Sequence, residues 1–90
     1  MIAAKDVPPE ARGASHRHYK GGWYELLGFA QHTETGEALI LYRHVWPHIN
    51  KRMILYARPL TSFYSWIEDP PGNPTQLRFE PVELILHGQD

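Results

Sequence analysis

Apolar positions along the chain fall in short alternating runs and not with a helical period. From Trp23 to Gln31 and from Glu37 to Val45, aromatic, β-branched and large aliphatic residues interleave with small or polar ones, which predicts two strands. Between them Thr33-Glu34-Thr35-Gly36 is turn chemistry, so the pair reads as a β-hairpin. A type I turn over Glu34 and Thr35 re-enters the ladder through a residue at positive φ. Glycine takes that conformation without a Cβ clash, and Gly36 therefore carries the reversal. Two registers are open. With Thr33 to Gly36 as the loop, Tyr24, Leu26, Gly28 and Ala30 share a face with Leu39, Leu41 and Val45, leaving Glu25, Leu27, Phe29, Ile40 and Tyr42 on the other. A loop shorter by one residue changes the partners across the strands. In both registers each face carries apolar residues, the pattern of a strongly bent strand in a small closed barrel, and Gly28 marks the expected bend.

The rest of the chain reads in the same way. His16 to Lys20 is a short strand, with Gly21-Gly22 as the tight turn into the hairpin. Val45 to Lys51 is a loop that sets Trp46 at its base, because Pro47 has no N–H for a ladder. Arg52 to Arg58 resumes a strand with Met53, Leu55 and Ala57 on one side. Pro59 at a first helical position, followed by Leu60 and Phe63, describes one helical turn that drops Phe63 into the core. Tyr64 to Ile67 is the next strand, and Glu68 to Pro74, rich in proline, is a loop. Leu77 to Phe79 and Val82 to Leu86 are short strands divided by Pro81, which suits a sheet edge. The expected organisation is an extended, weakly packed N-terminal arm over residues 1–15, a single domain over 16–86 and a tail over 87–90. The expected fold is all-β: a small SH3-like barrel of five to six short strands with one 3-10 turn. An OB-type barrel is the main competitor, and the crossover helices of a doubly wound α/β fold are missing.

Composition narrows the classes. The chain has 90 residues and no cysteine, which allows one small core and excludes both a disulfide framework and a thiolate zinc site. The opening Met-Ile-Ala-Ala-Lys-Asp is too short an apolar run for a signal peptide, and no stretch approaches a membrane span. A cytoplasmic protein is the expectation. Net charge is -1, but residues 11–58 sum to +4 and residues 59–90 to -4. That split reads either as a basic face for an anionic partner or as halves that pair their charges in space, within the chain or between two copies of it.

His18-Tyr19-Lys20-Gly21, Tyr24-Glu25-Leu26-Leu27-Gly28, His32-Thr33-Glu34-Thr35-Gly36-Glu37, Leu41-Tyr42-Arg43, Arg58-Pro59-Leu60, Phe63 and Arg78-Phe79 carry a further signal. Together they resemble the short bacterial domain-of-unknown-function family numbered 1653, from about Gly13 to Phe79. The resemblance implies an SH3-type barrel and brings no activity, substrate or cofactor. This chain departs from the family pattern in an enlarged segment at Trp46 to Asn50, in Tyr56-Ala57 where a tryptophan-valine pair is usual, and in a longer tail beyond Phe79.

Candidate chemistry is sparse. His16 and His18 share one side of a strand and, with His32, His44 or His48, form a candidate metal set; a metal-binding protein or enzyme is one alternative reading. Ser15, Ser62 and Ser65 lie in no nucleophile motif, no glycine-rich loop leads into a helix, and no cofactor is expected. The eleven aromatics exceed what one small core needs. Trp46, with Arg43, Arg52, Tyr56 and Arg58, combines stacking surface with positive charge and is the candidate binding face. The leading reading is thus a non-catalytic module that binds a protein or peptide partner, with pairing to a second copy of the chain left open, and a nucleic-acid-binding barrel is the other alternative.

Overall fold

The structure, a computed structural model, describes residues 1–48 and 53–83. Among the described residues, alternating patterning produces seven strands: β1 (His16–His18), β2 (Trp23–Gln31), β3 (Ala38–Trp46), β4 (Tyr56–Pro59), β5 (Trp66–Glu68), β6 (Pro74–Leu77) and β7 (Phe79–Pro81). A helical turn, α1 (Leu60–Phe63), stands between β4 and β5. One sheet has the order β4-β3-β2-β1-β7 and the other pairs β5 with β6, antiparallel throughout. The result is an all-β, open, barrel-like fold. Both outer strands of the larger sheet hold a proline, Pro59 in β4 and Pro81 in β7, where a missing N–H costs no ladder bond.

Arg78 is the seam between the two sheets. It lies between β6 and β7, its N–H donates to the Ser65 carbonyl at 2.9 Å, and its carbonyl accepts from Tyr19 N–H at 3.0 Å. The core sits on the inner face of the hairpin, where Ile40, Tyr42, Phe63 and Phe79 are buried against Tyr24, Leu26 and Leu60. Phe63 and Phe79 stack with ring centres 4.1 Å apart and planes 6° apart. Tyr42 meets both rings edge-on.

The hairpin forms with Gly36 at φ 74°. Ala30 pairs with Leu39 and Gly28 with Leu41, but Leu26 pairs with Tyr42, so Leu27 is an extra residue. This bulge, one position before the expected bend, settles the register question by switching faces. Tyr24 and Leu26 join Ile40 and Tyr42 inside, whereas Gly28 and Ala30 stay with Leu41 and Leu39 outside. Beside the bulge, Ser15 Oγ accepts the Leu26 N–H at 2.7 Å and lies 2.8 Å from His16 Nδ1. The serine thus takes up a donor that β1, which starts only at His16, does not reach.

Several boundaries differ from the sequence expectation. β3 runs on to Trp46, which pairs with Trp23, and Pro47 ends it. β4 begins only at Tyr56: Met53 has φ 54°, outside the extended region, and Met53, Ile54 and Leu55 are exposed. The turn before β5 is α-type, with Tyr64 N–H donating to Leu60 O, and this delays β5 to Trp66. β6 begins already at Pro74, the last residue of the expected loop, the strand expected over Leu77 to Phe79 is split at Arg78 between β6 and β7, and Pro81 is the last residue of β7. The 3-10 turns occur instead near the N-terminus, at Ala4–Asp6 and Pro9–Ala11. There Ala11 is fully buried, and Ile2 bridges Val82 in parallel, with Ile2 N–H donating to Pro81 O at 2.8 Å. Residues 1–15 therefore pack more closely than an extended arm. Most of the strand expected over Val82 to Leu86, and the tail over 87–90, lie outside the described residues.

Candidate ligand-binding face

The inner face of β4 lies over the aromatic core. Arg58 is opposite Ile40 and Tyr56 opposite Tyr42, so both point to the side on which Phe63 and Phe79 stack. Arg58 Nε donates to the Tyr42 hydroxyl at 3.3 Å and its Nη1 to Ser62 Oγ at 3.1 Å, while its guanidinium sits 5.6 Å from the centre of the Phe79 ring. Tyr56 packs beside Tyr42 with ring centres 5.6 Å apart and is 43% exposed. Tyr64, edge-on to Phe63, is 49% exposed.

Around this platform two more cations gather. Arg78 Nε donates to Ser65 Oγ at 3.0 Å, and Ser65 Oγ donates to Ser62 O at 2.6 Å, so the serines of one turn hold both arginines. The Arg78 guanidinium and Lys20 Nζ lie 6.0 and 5.8 Å from the centre of the Tyr19 ring. His18 stands between the groups, its ring 4.9 Å from Phe79 and 4.6 Å from Tyr19, and its Nδ1 accepts from Lys20 N–H at 3.2 Å. Burial holds His18 below the ordinary histidine range, and the charges of Arg58, Arg78 and Lys20 push it further down. Burial lifts the Tyr24 phenol above its usual range; Tyr42 and Tyr56 add to this and Arg58 opposes it.

Next to the cations, sharing His18 and Lys20, is a groove of about 400 Å³ whose other walls include Gly22, Tyr24, His44 and His48. Gly22 is required there, because a Cβ would come within 2.9 Å of the Tyr24 ring and 3.1 Å of His44 Nε2. The His44 ring lies 4.6 Å from Tyr24 and 5.0 Å from His48, and burial followed by the His48 charge lowers its proton affinity.

Of the residues singled out in the sequence, the structure brings Tyr56 and Arg58 together. Arg43 is on the outer face, where it pairs with Glu25 at 2.7 Å across the hairpin. Trp46 closes β3 opposite Trp23, and Arg52 lies outside the described residues. His16 and His18 do share a side, but each ring packs edge-on against the core, His16 on Phe63 and His18 on Phe79. Among the described residues no group of three His, Cys, Asp or Glu side chains is arranged to hold a metal ion. Sequence reasoning missed Lys20, Tyr42 and Arg78. Lys20 and Arg78 sit in family-type motifs, but they are far apart in the chain, and Arg78 lies in its acidic third.

Fold and face together define a small antiparallel β domain, open and barrel-like, whose inner side presents cations seated on aromatic rings. The chain belongs to DUF1653, a family described as proteins of unknown function, whose profile matches residues 14–81. A crystal structure of a DUF1653 protein from Bordetella bronchiseptica is similar, with a TM-score of 0.62 and 28% identity over 83% of this chain and 91% of that one. The comparison with curated proteins gave no match. No helix among the described residues is long and apolar enough to cross a membrane.

Proposed function

We propose that this domain is a non-catalytic interaction module of SH3-like form, working in the bacterial cytoplasm, that takes a peptide segment of a partner protein across the face built by Tyr42, Tyr56, Arg58 and Tyr64. The observation that carries this reading is Arg58. It is fixed by two side-chain hydrogen bonds, lies on a core ring and is flanked by exposed tyrosines. A cation held in place with large rings beside it is the composition of an interface anchor, because little side-chain entropy is left to lose on binding. Ser15 and His16 touch, but Ser15 Oγ already serves the Leu26 N–H, so the contact is part of the fold.

The test is affinity capture from native lysate with the wild-type chain and two variants, Tyr56→Ser and Arg58→Gln. A partner retained by the wild type and lost by both variants, at unchanged circular dichroism, is the expected outcome. Capture that is indifferent to Tyr56→Ser would overturn the reading.

A further inference from the structure

We propose that Lys20, Arg58 and Arg78 form a seat for a phosphoryl group carried on a side chain of the peptide partner, an inference that rests on the peptide-binding reading above. Two other cations of the protein are met by carboxylates, Arg43 by Glu25 and the N-terminal ammonium by Glu80. Among the described residues these three cations have no carboxylate partner. The two arginines bond only to hydroxyls, and all three cations lie over rings. They come from three separate places, the turn after β1, strand β4 and the seam between β6 and β7, and meet around His18. Nη2 of Arg58 and both Nη groups of Arg78 remain as unused donors, in the planar form that matches phosphate oxygens. Because the Ser62–Ser65 turn already holds both guanidinium groups, binding need not immobilise them.

The number of positive charges selects the ligand. A carboxylate or sulfonate brings one negative charge, whereas a phosphate monoester brings about 1.5 to 2 at pH 7 and three acceptor oxygens to share among separate donors. The neighbouring groove, which shares His18 and Lys20 with the seat, has room for the side chain that bears the phosphate. His18 reports occupancy. It faces Lys20, Arg58 and Arg78 together with the rings of Tyr19, Tyr24 and Phe79, and an arriving dianion offsets the cations that now depress its proton affinity.

The test is an NMR titration of the full chain at constant ionic strength with phenyl phosphate, benzenesulfonate and a thymidine oligonucleotide without terminal phosphate. Phenyl phosphate should shift the Lys20, Arg78 and Phe79 amides saturably and raise the His18 titration midpoint, and benzenesulfonate should bind about tenfold more weakly. Lys20→Gln, at an exposed position, and Arg78→Gln should each weaken phenyl phosphate by about tenfold without unfolding the chain. Equal binding of the sulfonate, or shifts no larger than sodium chloride produces, would overturn the seat. An oligonucleotide that saturates the same amides more tightly than phenyl phosphate would overturn the peptide assignment in favour of nucleic acid. If the seat fails while capture still depends on Tyr56, only the phosphoryl assignment falls; if capture ignores Tyr56, the module reading falls whatever phenyl phosphate does.

Discussion

Ser15 shows how much one hydroxyl can hold. It accepts the Leu26 N–H beside the bulge, and its own N–H donates to Tyr24 O at 2.8 Å while its carbonyl accepts from Val82 N–H at 2.8 Å. Alanine keeps the backbone bonds but leaves the half-buried Leu26 donor without a partner, so Ser15→Ala should cost about 1 to 3 kcal/mol in chemical denaturation. A cost within error of zero would mean that water replaces the hydroxyl. Residue roles of this kind were legible in the sequence only where backbone geometry or core packing demands a residue type. Gly36 and Phe63 are such cases, one by its positive φ and the other by its place on a helical turn. The hydroxyl of Ser15 gave no signal, because its acceptor role depends on where β1 starts relative to a bulge beside Leu26, eleven residues further along the chain.

Elements were legible where alternation and turn chemistry agree. β2 and the helical turn after Pro59 emerge as expected, and β3 closely so. The strand expected from Arg52 failed over Met53 to Leu55 because apolar residues do not guarantee extension, and there the φ of Met53 breaks it. The bulge at Leu27 was also hidden: a period of two identifies a strand but not the position at which an inserted residue turns the pattern over. The hairpin reversal itself can be tested. Gly36 N–H donates to His32 O at 2.8 Å while its φ is positive, so Gly36→Val forces a β-branched residue into the left-handed region. The expected result is a melting temperature lower by several degrees, about 1 to 3 kcal/mol of strain. An unchanged transition would show that the loop finds another route.

At the scale of the whole molecule, three histidines set an acid limit. His16 and His44 are held low chiefly by burial, and His18 by burial and three cations, so the unfolded chain binds protons at these sites more readily than the folded one. Stability from this source is complete above about pH 6.5, the unfolded value, and is lost as pH falls from there toward the lower folded values. Melting temperature should therefore decline between about pH 6.5 and 5, ahead of most carboxylate titration, and His18→Gln should flatten the slope. A profile that is level across that window would contradict it. The candidate face is a property of this same scale. Arg58 and Tyr56 were readable as a basic and aromatic pair, but their companions Lys20 and Arg78 are joined to them only by the folding back of β7 beside β1. Charge summed along the sequence assigned Arg78 to an acidic segment, while the topology carries it into a basic neighbourhood.

The seam at Arg78 has an evolutionary corollary. Two peptide groups fasten the sheets there whatever the side chain, and the guanidinium adds only a bond to Ser65 Oγ, so most amino acids at this position keep the backbone join and the side chain is left to drift or specialise with whatever the domain meets. Proline is the exception: lacking the amide hydrogen that reaches Ser65, it would unfasten one side of the join.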